Sequence, residues 1–225
     1  MDDDLSYASD RERMVAEQIA GRGIRDPRLL DAMRSVPRHR FVPPSERSQA
    51  YLDGPLPIGQ RQTISQPYIV ALMTELLALQ GDETVLEIGT GSGYQAAILS
   101  RLARQVHTIE RHAGLGETAR AALEALGISN VTVHIGDGSN GLPAFAPYQG
   151  ILVTAAAPGV PQPLLEQLAV QGRMVLPVGN QDGQVLECWV RRKPGGQALS
   201  AFDRRVITSV AFVPLRGRYG WEQDW

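Results

Sequence analysis

An open α/β fold, a mostly parallel seven-stranded sheet with helices on both faces, is what this chain predicts from three observations. Strand and helix patterns alternate through its first half, which calls for parallel strands joined by right-handed crossovers. A short apolar strand runs straight into a glycine-rich loop and a helix start, Val85-Leu86-Glu87-Ile88-Gly89-Thr90-Gly91-Ser92-Gly93-Tyr94. Such sheets present backbone amides to a ligand in this way, at the carboxyl end of the first strand. Toward the C-terminus the links shorten until no crossover helix fits, so the last strands are expected to run antiparallel to part of the sheet.

Residues 1–55 read as helical and then irregular. Arg11 to Ala20 carries Met14, Val15 and Ile19 at roughly helical spacing, and Asp26-Pro27 ahead of Leu29, Leu30 and Met33 starts a second helix with proline in its first turn. Pro37, Pro43 and Pro44 then break regular structure, because each lacks a donor and restricts its predecessor. This segment is expected to form a small helical lobe packed on a main domain, residues 56–225. From Gln66 to Leu79, the pattern Ile69, Leu72, Met73, Leu76, Leu77 marks an amphipathic helix started by Pro67 and stopped at Gly81.

The predicted strands are Thr84 to Ile88, Val106 to Glu110, Val131 to Gly136, Ile151 to Ala155, Met174 to Val178, Val185 to Arg191 and Val206 to Val213. Gly179 to Gln184 and Lys193-Pro194-Gly195-Gly196 read as hairpin links between the last three. At 225 residues without internal repeats, the chain suits one open-sheet domain with an N-terminal addition.

With 22 basic and 24 acidic side chains, the formal net charge of -2 gives no global argument for binding nucleic acid or membrane. The acidic start Asp2-Asp3-Asp4 does not resemble a signal peptide, and no apolar run approaches the ~18 residues of a membrane span, so a soluble cytoplasmic chain is expected. The lone Cys188 sits in an apolar strand pattern and reads as a packed, inert thiol. His39, His107, His112 and His134 share no metal-binding spacing, and no metal is expected.

The glycine loop lacks the Gly-Lys-Ser/Thr ending of a triphosphate loop. It also departs from the dinucleotide spacing Gly-x-Gly-x-x-Gly, and Glu87 would set a carboxylate against a pyrophosphate. That carboxylate suits a ligand with an ammonium or sulfonium group, and S-adenosyl-L-methionine (AdoMet) has both. Glu110 ends the second predicted strand about 20 residues past the loop, where a carboxylate accepts from ribose hydroxyls. Asp137, in Gly136-Asp137-Gly138 after the third, is placed to accept from the adenine amine. Alone, a Gly-x-Gly-x-Gly loop or a Gly-Asp-Gly turn is often only a turn; the order of loop, acid and Asp on three successive strands makes the joint case.

Upstream, Thr63-Ile64-Ser65-Gln66-Pro67 reads as a polar turn ahead of a helix. Ser65 could be that helix's N-cap, yet proline at the first helical position makes Gln66 the cap and leaves Ser65 one residue outside.

The chain resembles the protein-L-isoaspartate (D-aspartate) O-methyltransferase family. The resemblance rests on Val36-Pro37-Arg38 with Phe41-Val42, Thr63-Ile64-Ser65-Gln66-Pro67, the glycine loop, Gly136-Asp137-Gly138, Val153-Thr154-Ala155-Ala156-Ala157-Pro158, Leu176-Pro177-Val178-Gly179 and Phe212-Val213-Pro214-Leu215. It implies the class I AdoMet-dependent (Rossmann-like) fold. The implied reaction moves a methyl group from AdoMet to the free α-carboxylate of an L-isoaspartyl residue in a damaged protein or peptide. The products are S-adenosyl-L-homocysteine and an ester that closes to a succinimide, whose hydrolysis returns some aspartate.

By the same resemblance, Ser65 orients the substrate carboxylate, Thr63 and Ile64 line the same turn, and Val213, Pro214 and Leu215 contact the substrate main chain. Glu87, Gly89, Thr90, Gly91, Ser92, Gly93, Glu110, Asp137 and Gly138 would hold the cofactor in a monomeric enzyme. Because the accepting carboxylate is already ionised, alignment and desolvation rather than a strong base are expected to drive the transfer. Arg61, Leu142 and Gln149-Gly150 depart from the family pattern. Arg61 would either narrow the entrance or meet an anionic group. The alternatives are a related methyltransferase that esterifies ordinary aspartate in one dedicated peptide, a protein that binds AdoMet or damaged chains without turnover and, less favoured by the substrate turn, a small-molecule methyltransferase.

Overall fold

The computed structural model describes residues 3–192 and 201–222, so the predicted hairpin link Lys193-Pro194-Gly195-Gly196 lies outside the described residues. Nine strands occur among them: β1 Leu56–Gly59, β2 Gln62–Ile64, β3 Thr84–Ile88, β4 Gln105–Glu110, β5 Val131–Ile135, β6 Tyr148–Val153, β7 Leu168–Asn180, β8 Gly183–Arg191 and β9 Phe202–Val210. β1 and β2 form a separate antiparallel pair, and the other seven form one sheet in the order β5-β4-β3-β6-β7-β8-β9. Pairing is parallel from β5 to β7 and antiparallel from β7 to β9. This is the mixed seven-stranded sheet expected of a class I methyltransferase.

The α-helices are α1 Asp3–Ser6, α2 Ala8–Arg13, α3 Pro27–Ser35, α4 Pro67–Leu77, α5 Tyr94–Ser100, α6 Ala113–Ala125 and α7 Gln162–Gln167. Successive strand residues face opposite sides of the sheet, and that period divides the core into two layers. Val85, Val106, Leu152 and Val175 join one layer with α4, α5, α6 and the N-terminal helices. Leu86, Ile88, Ile109, Ile151, Val153 and Met174 join the other, with α7. Met14, Val15 and Ile19, with Leu29, Ala32 and Met33 of α3, share the first layer, so the N-terminal segment extends the main core.

Strand order fixes where a ligand goes. The chain steps from β3 outward to β4 and β5, then returns to place β6 on the other side of β3. The crevice opened by this reversal lies at the carboxyl ends of the strands, directly beyond Ile88.

Several boundaries differ from the sequence reading. The helix expected over Arg11 to Ala20 begins at Ala8 and widens into a π-helix over Met14–Ile19. Buried Met14 and Ile19 are five residues apart, a spacing that a π turn, not an α turn, brings to one side. Thr63 and Ile64, expected in a turn, lie in β2, where Ile64 pairs with buried Leu56. The hairpin tip is Gln60-Arg61, with φ of +50° and +58°. Two-residue hairpin turns of this kind usually advertise themselves by Asn or Gly, and neither is present. β7 starts six residues earlier than expected; Gln171, at φ +64°, kinks it before pairing with β6 resumes at Arg173. β6 stops at Val153 and β9 at Val210, so Ala155 and Val213 fall in loops.

Candidate active site

The loop after β3 is shaped by backbone conformations that side chains resist. Gly89, Gly91 and Gly93 all have positive φ, +93°, +52° and +88°. At Gly89 a Cβ would lie 2.3 Å from Thr154 Oγ1. That hydroxyl donates to Gly89 O at 2.7 Å and Ile88 O at 3.0 Å, tying β6 to the loop. Gly89 N and Thr90 N both donate to Ile109 O, and the Thr90 and Thr108 hydroxyls are 2.6 Å apart.

Glu110, at the end of β4, is 4% exposed and lies in the wall of the cleft. It accepts from Gly91 N and His112 N, both at 2.9 Å. A carboxylate offers about four lone-pair positions, so two remain for hydroxyl groups of a ligand. Glu110→Ala would orphan both amides and remove those acceptors. At 1.5–3 kcal/mol for each hydrogen bond to a charged group, AdoMet affinity is expected to fall by about 100-fold or more, measured by calorimetric titration. An unchanged Kd would sink the assignment.

Glu87 is fully buried, and neither carboxylate oxygen has a hydrogen-bond partner among the described residues. By strand alternation it points to the side of Val85, and it does not itself line the cleft, whereas Ile88 and Gly89 do. Burial pushes its carboxyl up to about 8, with the nearby Thr108 hydroxyl opposing and the Glu110 charge adding. The folded protein therefore keeps a proton that the unfolded chain releases near 4.5. Its contribution to stability is complete below pH 4.5 and is lost as pH rises through 8. Glu87→Gln, neutral throughout, is expected to melt higher than the parent at pH 8.5 by about 2–6 °C, with a smaller gap at pH 6. Thermal melts at the two pH values test this, and a gap independent of pH would refute it.

Asp137 takes a structural task. Its carboxylate accepts from Ser139 N at 2.9 Å, Ser139 Oγ at 2.6 Å, Asn140 Nδ2 at 2.8 Å and Arg218 N at 2.8 Å. Burial works against the charge, but these bonds outweigh it and hold the carboxyl below its usual range. Asp137 stands one residue behind the cleft wall, and Gly138 is in it.

The cleft has a volume of about 950 Å³. Ile88 to Ser92, Glu110 to His112, Gly138 and Thr154 form one part of its wall. Thr63, Ile64 and Ser65 form another, and the strap from Ala211 to Gly217 forms a third. The strap pairs with the loop after β6, Ala156 N donating to Val213 O and Leu215 N to Ala156 O, each at 2.8 Å. Trp221 Nε1 adds a bond to Ala156 O. Among the described residues, Val213 N–H and Pro214 C=O make no bond, leaving a short free edge. The hairpin leans onto the loop from the other side, Ile58 Cδ1 lying 3.4 Å from where a Cβ on Gly91 would be.

Gln66, not Ser65, is the N-cap of α4. The Ser65 carbonyl accepts from Arg38 Nη2 at 2.8 Å, and its hydroxyl makes no hydrogen bond to the described residues.

Thus Ser65, Thr63, Ile64, Val213, Pro214, Leu215, Gly89, Thr90, Gly91, Ser92, Glu110 and Gly138 converge on one cleft; Gly93 starts α5 just behind it. Sequence reasoning missed Thr154, although its place at the end of a strand beside β3 was a usable signal. It also missed the anchoring of the strap by Asp137.

A glycine loop after β3, an acid at the end of β4 and this strand order define an AdoMet-dependent methyltransferase of class I. The model of the family Protein-L-isoaspartate(D-aspartate) O-methyltransferase matches residues 9–220, and the chain belongs to that family. It is 58% identical over 215 residues to the protein-L-isoaspartate O-methyltransferase of Methanoregula boonei, covering 96% of each chain. It is 56% identical over 217 residues to that of Geobacter metallireducens, covering 96% of this chain and 98% of the relative. A solved protein-L-isoaspartate O-methyltransferase superposes with a TM-score of 0.82 at 29% identity, over 93% of this chain and 67% of that one. A Plasmodium falciparum structure in complex with S-adenosyl-L-homocysteine shares the fold, with a TM-score of 0.78 at 22% identity, over 92% of this chain and 98% of that one.

Proposed function

We propose that the cleft transfers a methyl group from AdoMet to the free α-carboxylate of L-isoaspartyl residues in damaged proteins and peptides. The observation that carries this reading is the meeting of three segments in one cleft: the glycine loop with Glu110, the Ser65 strand end, and the Val213-Pro214-Leu215 strap.

The residues present fit the cofactor. Glu110 keeps free acceptor positions for ribose hydroxyls, whereas Glu87 stands behind the cleft wall, out of the ligand's reach. Gly89, Thr90, Gly91, Ser92 and Gly93 let the ligand approach the backbone, and Asp137 with Gly138 closes the adenine end. AdoMet supplies the electrophilic methyl group.

On the acceptor side, the Ser65 hydroxyl hydrogen-bonds the carboxylate and aims one oxygen at the methyl group. The carboxylate is ionised at neutral pH, so no proton has to be removed and alignment supplies most of the rate. The free Val213 N–H and Pro214 C=O pair with the peptide main chain, a contact indifferent to most side chains. Thr63 and Ile64 line the approach. A monomer working in the cytoplasm completes the reading. No described helix is long and apolar enough to cross a membrane.

Two peptides of one sequence, differing only in isoaspartyl or aspartyl linkage, test the proposal with methyl-labelled AdoMet. Base-labile label on the isoaspartyl peptide alone is expected. Label on the aspartyl peptide, or on neither, would overturn it.

A further inference from the structure

Directly behind Ser65 stands a buried cation. Arg38 is 0% exposed, and no carboxylate among the described residues lies within ion-pair distance of it. Its Nε donates to Ala50 O at 2.7 Å and its Nη2 to Ser65 O at 2.8 Å. The guanidinium lies 4.9 Å from the centre of the Tyr94 ring, and Nη1 has no hydrogen-bond partner. Burial lowers its pKa to about 10, which leaves it charged at neutral pH.

Two carbonyls and a ring do not account for a full charge held out of water. Neutral donors would satisfy both carbonyls without the desolvation penalty, which usually exceeds what such bonds return. A buried positive charge is useful where a negative one arrives, and Ser65 is where the acceptor carboxylate is placed.

We propose that Arg38 is a positioning residue for the acceptor carboxylate: it fixes the Ser65 backbone, and its uncompensated charge draws the substrate's carboxylate to the Ser65 hydroxyl. The proposal rests on the transfer reaction assigned above. At an effective dielectric constant near 20, a unit charge acting over a separation of ~7 Å changes affinity by roughly 50-fold before solvent screening, and about a tenfold effect is expected to survive.

The sign of the kinetic effect follows from the reaction. An anionic oxygen and a cationic sulfur both lose charge as the methyl group moves, so Arg38 attracts the reactant carboxylate more than the transition state or the neutral ester. Its charge therefore acts on KM more than on kcat, and releases the product.

The test compares KM and kcat for an isoaspartyl peptide in the parent, Arg38→Met and Arg38→Lys, with AdoMet binding measured on each. Arg38→Met is expected to raise KM about tenfold, with kcat lowered only as far as Ser65 is displaced by loss of the Arg38 hydrogen bond, and Arg38→Lys to keep most of the parent KM. A purely structural role would reduce the active fraction and leave KM alone, and that result overturns the proposal; so does a lysine variant with the KM of the methionine variant. If Arg38→Met does not bind AdoMet, Arg38→Gln serves as the neutral variant, since it keeps an amide donor. A parent enzyme that esterifies no isoaspartyl peptide overturns the function and this inference together, whereas an active parent with unmoved KM in the variants overturns this inference alone.

Discussion

Gly89→Ala is expected to lower the melting temperature by about 6–12 °C and to abolish measurable AdoMet binding. Two penalties add at this position. The backbone sits at φ +93°, outside the range comfortable for a residue with a Cβ, at a cost of about 1–2 kcal/mol. The new methyl would also stand 2.3 Å from Thr154 Oγ1, which must then yield its bonds to Ile88 O and Gly89 O at about 1 kcal/mol each. The Thr154→Ala background separates the two. There the steric part disappears and the conformational part persists, so Gly89→Ala should cost less than in the parent. Melting curves and calorimetric titration of the four proteins in the cycle check this. A single variant that melts and binds AdoMet like the parent would show that the loop relaxes freely.

Ser65→Ala is expected to lower kcat about 10- to 100-fold, with AdoMet affinity and melting temperature near those of the parent. The magnitude is that of one hydrogen bond to a charged oxygen. The structure makes stability a useful control, because Ser65 lies outside α4 and Gln66 is its cap. A lost cap would cost about 1 kcal/mol and appear in the melt; a lost orienting hydroxyl appears only in turnover. Labelled-methyl kinetics at saturating AdoMet, beside a thermal melt, distinguish them. Parent-like turnover would remove Ser65 from the mechanism.

Legibility in the sequence followed the range of the forces involved. Strand β3 matches its expected bounds because Val85, Leu86 and Ile88, with Glu87 between them, are closed by glycine, a local pattern that tertiary packing only reinforces. Glu110 was legible for the same reason, as the last residue of a strand at a set distance from the loop. The β1–β2 hairpin was not, since its tip carries left-handed Gln60 and Arg61 in place of Gly or Asn. The early start of β7 follows α7 without any intervening glycine or proline to mark it. The function of Asp137 was hidden differently: Arg218 N, its partner, is 81 positions away, and no periodicity reports such a bond. Arg38 is visible in the sequence only as the end of Val36-Pro37-Arg38, since its burial and its hold on Ser65 depend on Ala50, Ser65 and Tyr94 assembling around it.

The hairpin and the strap are tied to the donor half of the cleft by Ile58 against Gly91, by the bonds of Val213, Leu215 and Trp221 to Ala156, and by Asp137 and Ser139 beneath Gly217 to Tyr219. Leu56 and Ile64 of the hairpin and Leu215 of the strap also enter the two core layers. The molecule is in this sense a socket with a replaceable fitting. Exchanging the hairpin and strap for those of another chain, with these anchors and core residues kept, would redirect the methyl group to a new acceptor without rebuilding the part that holds its source.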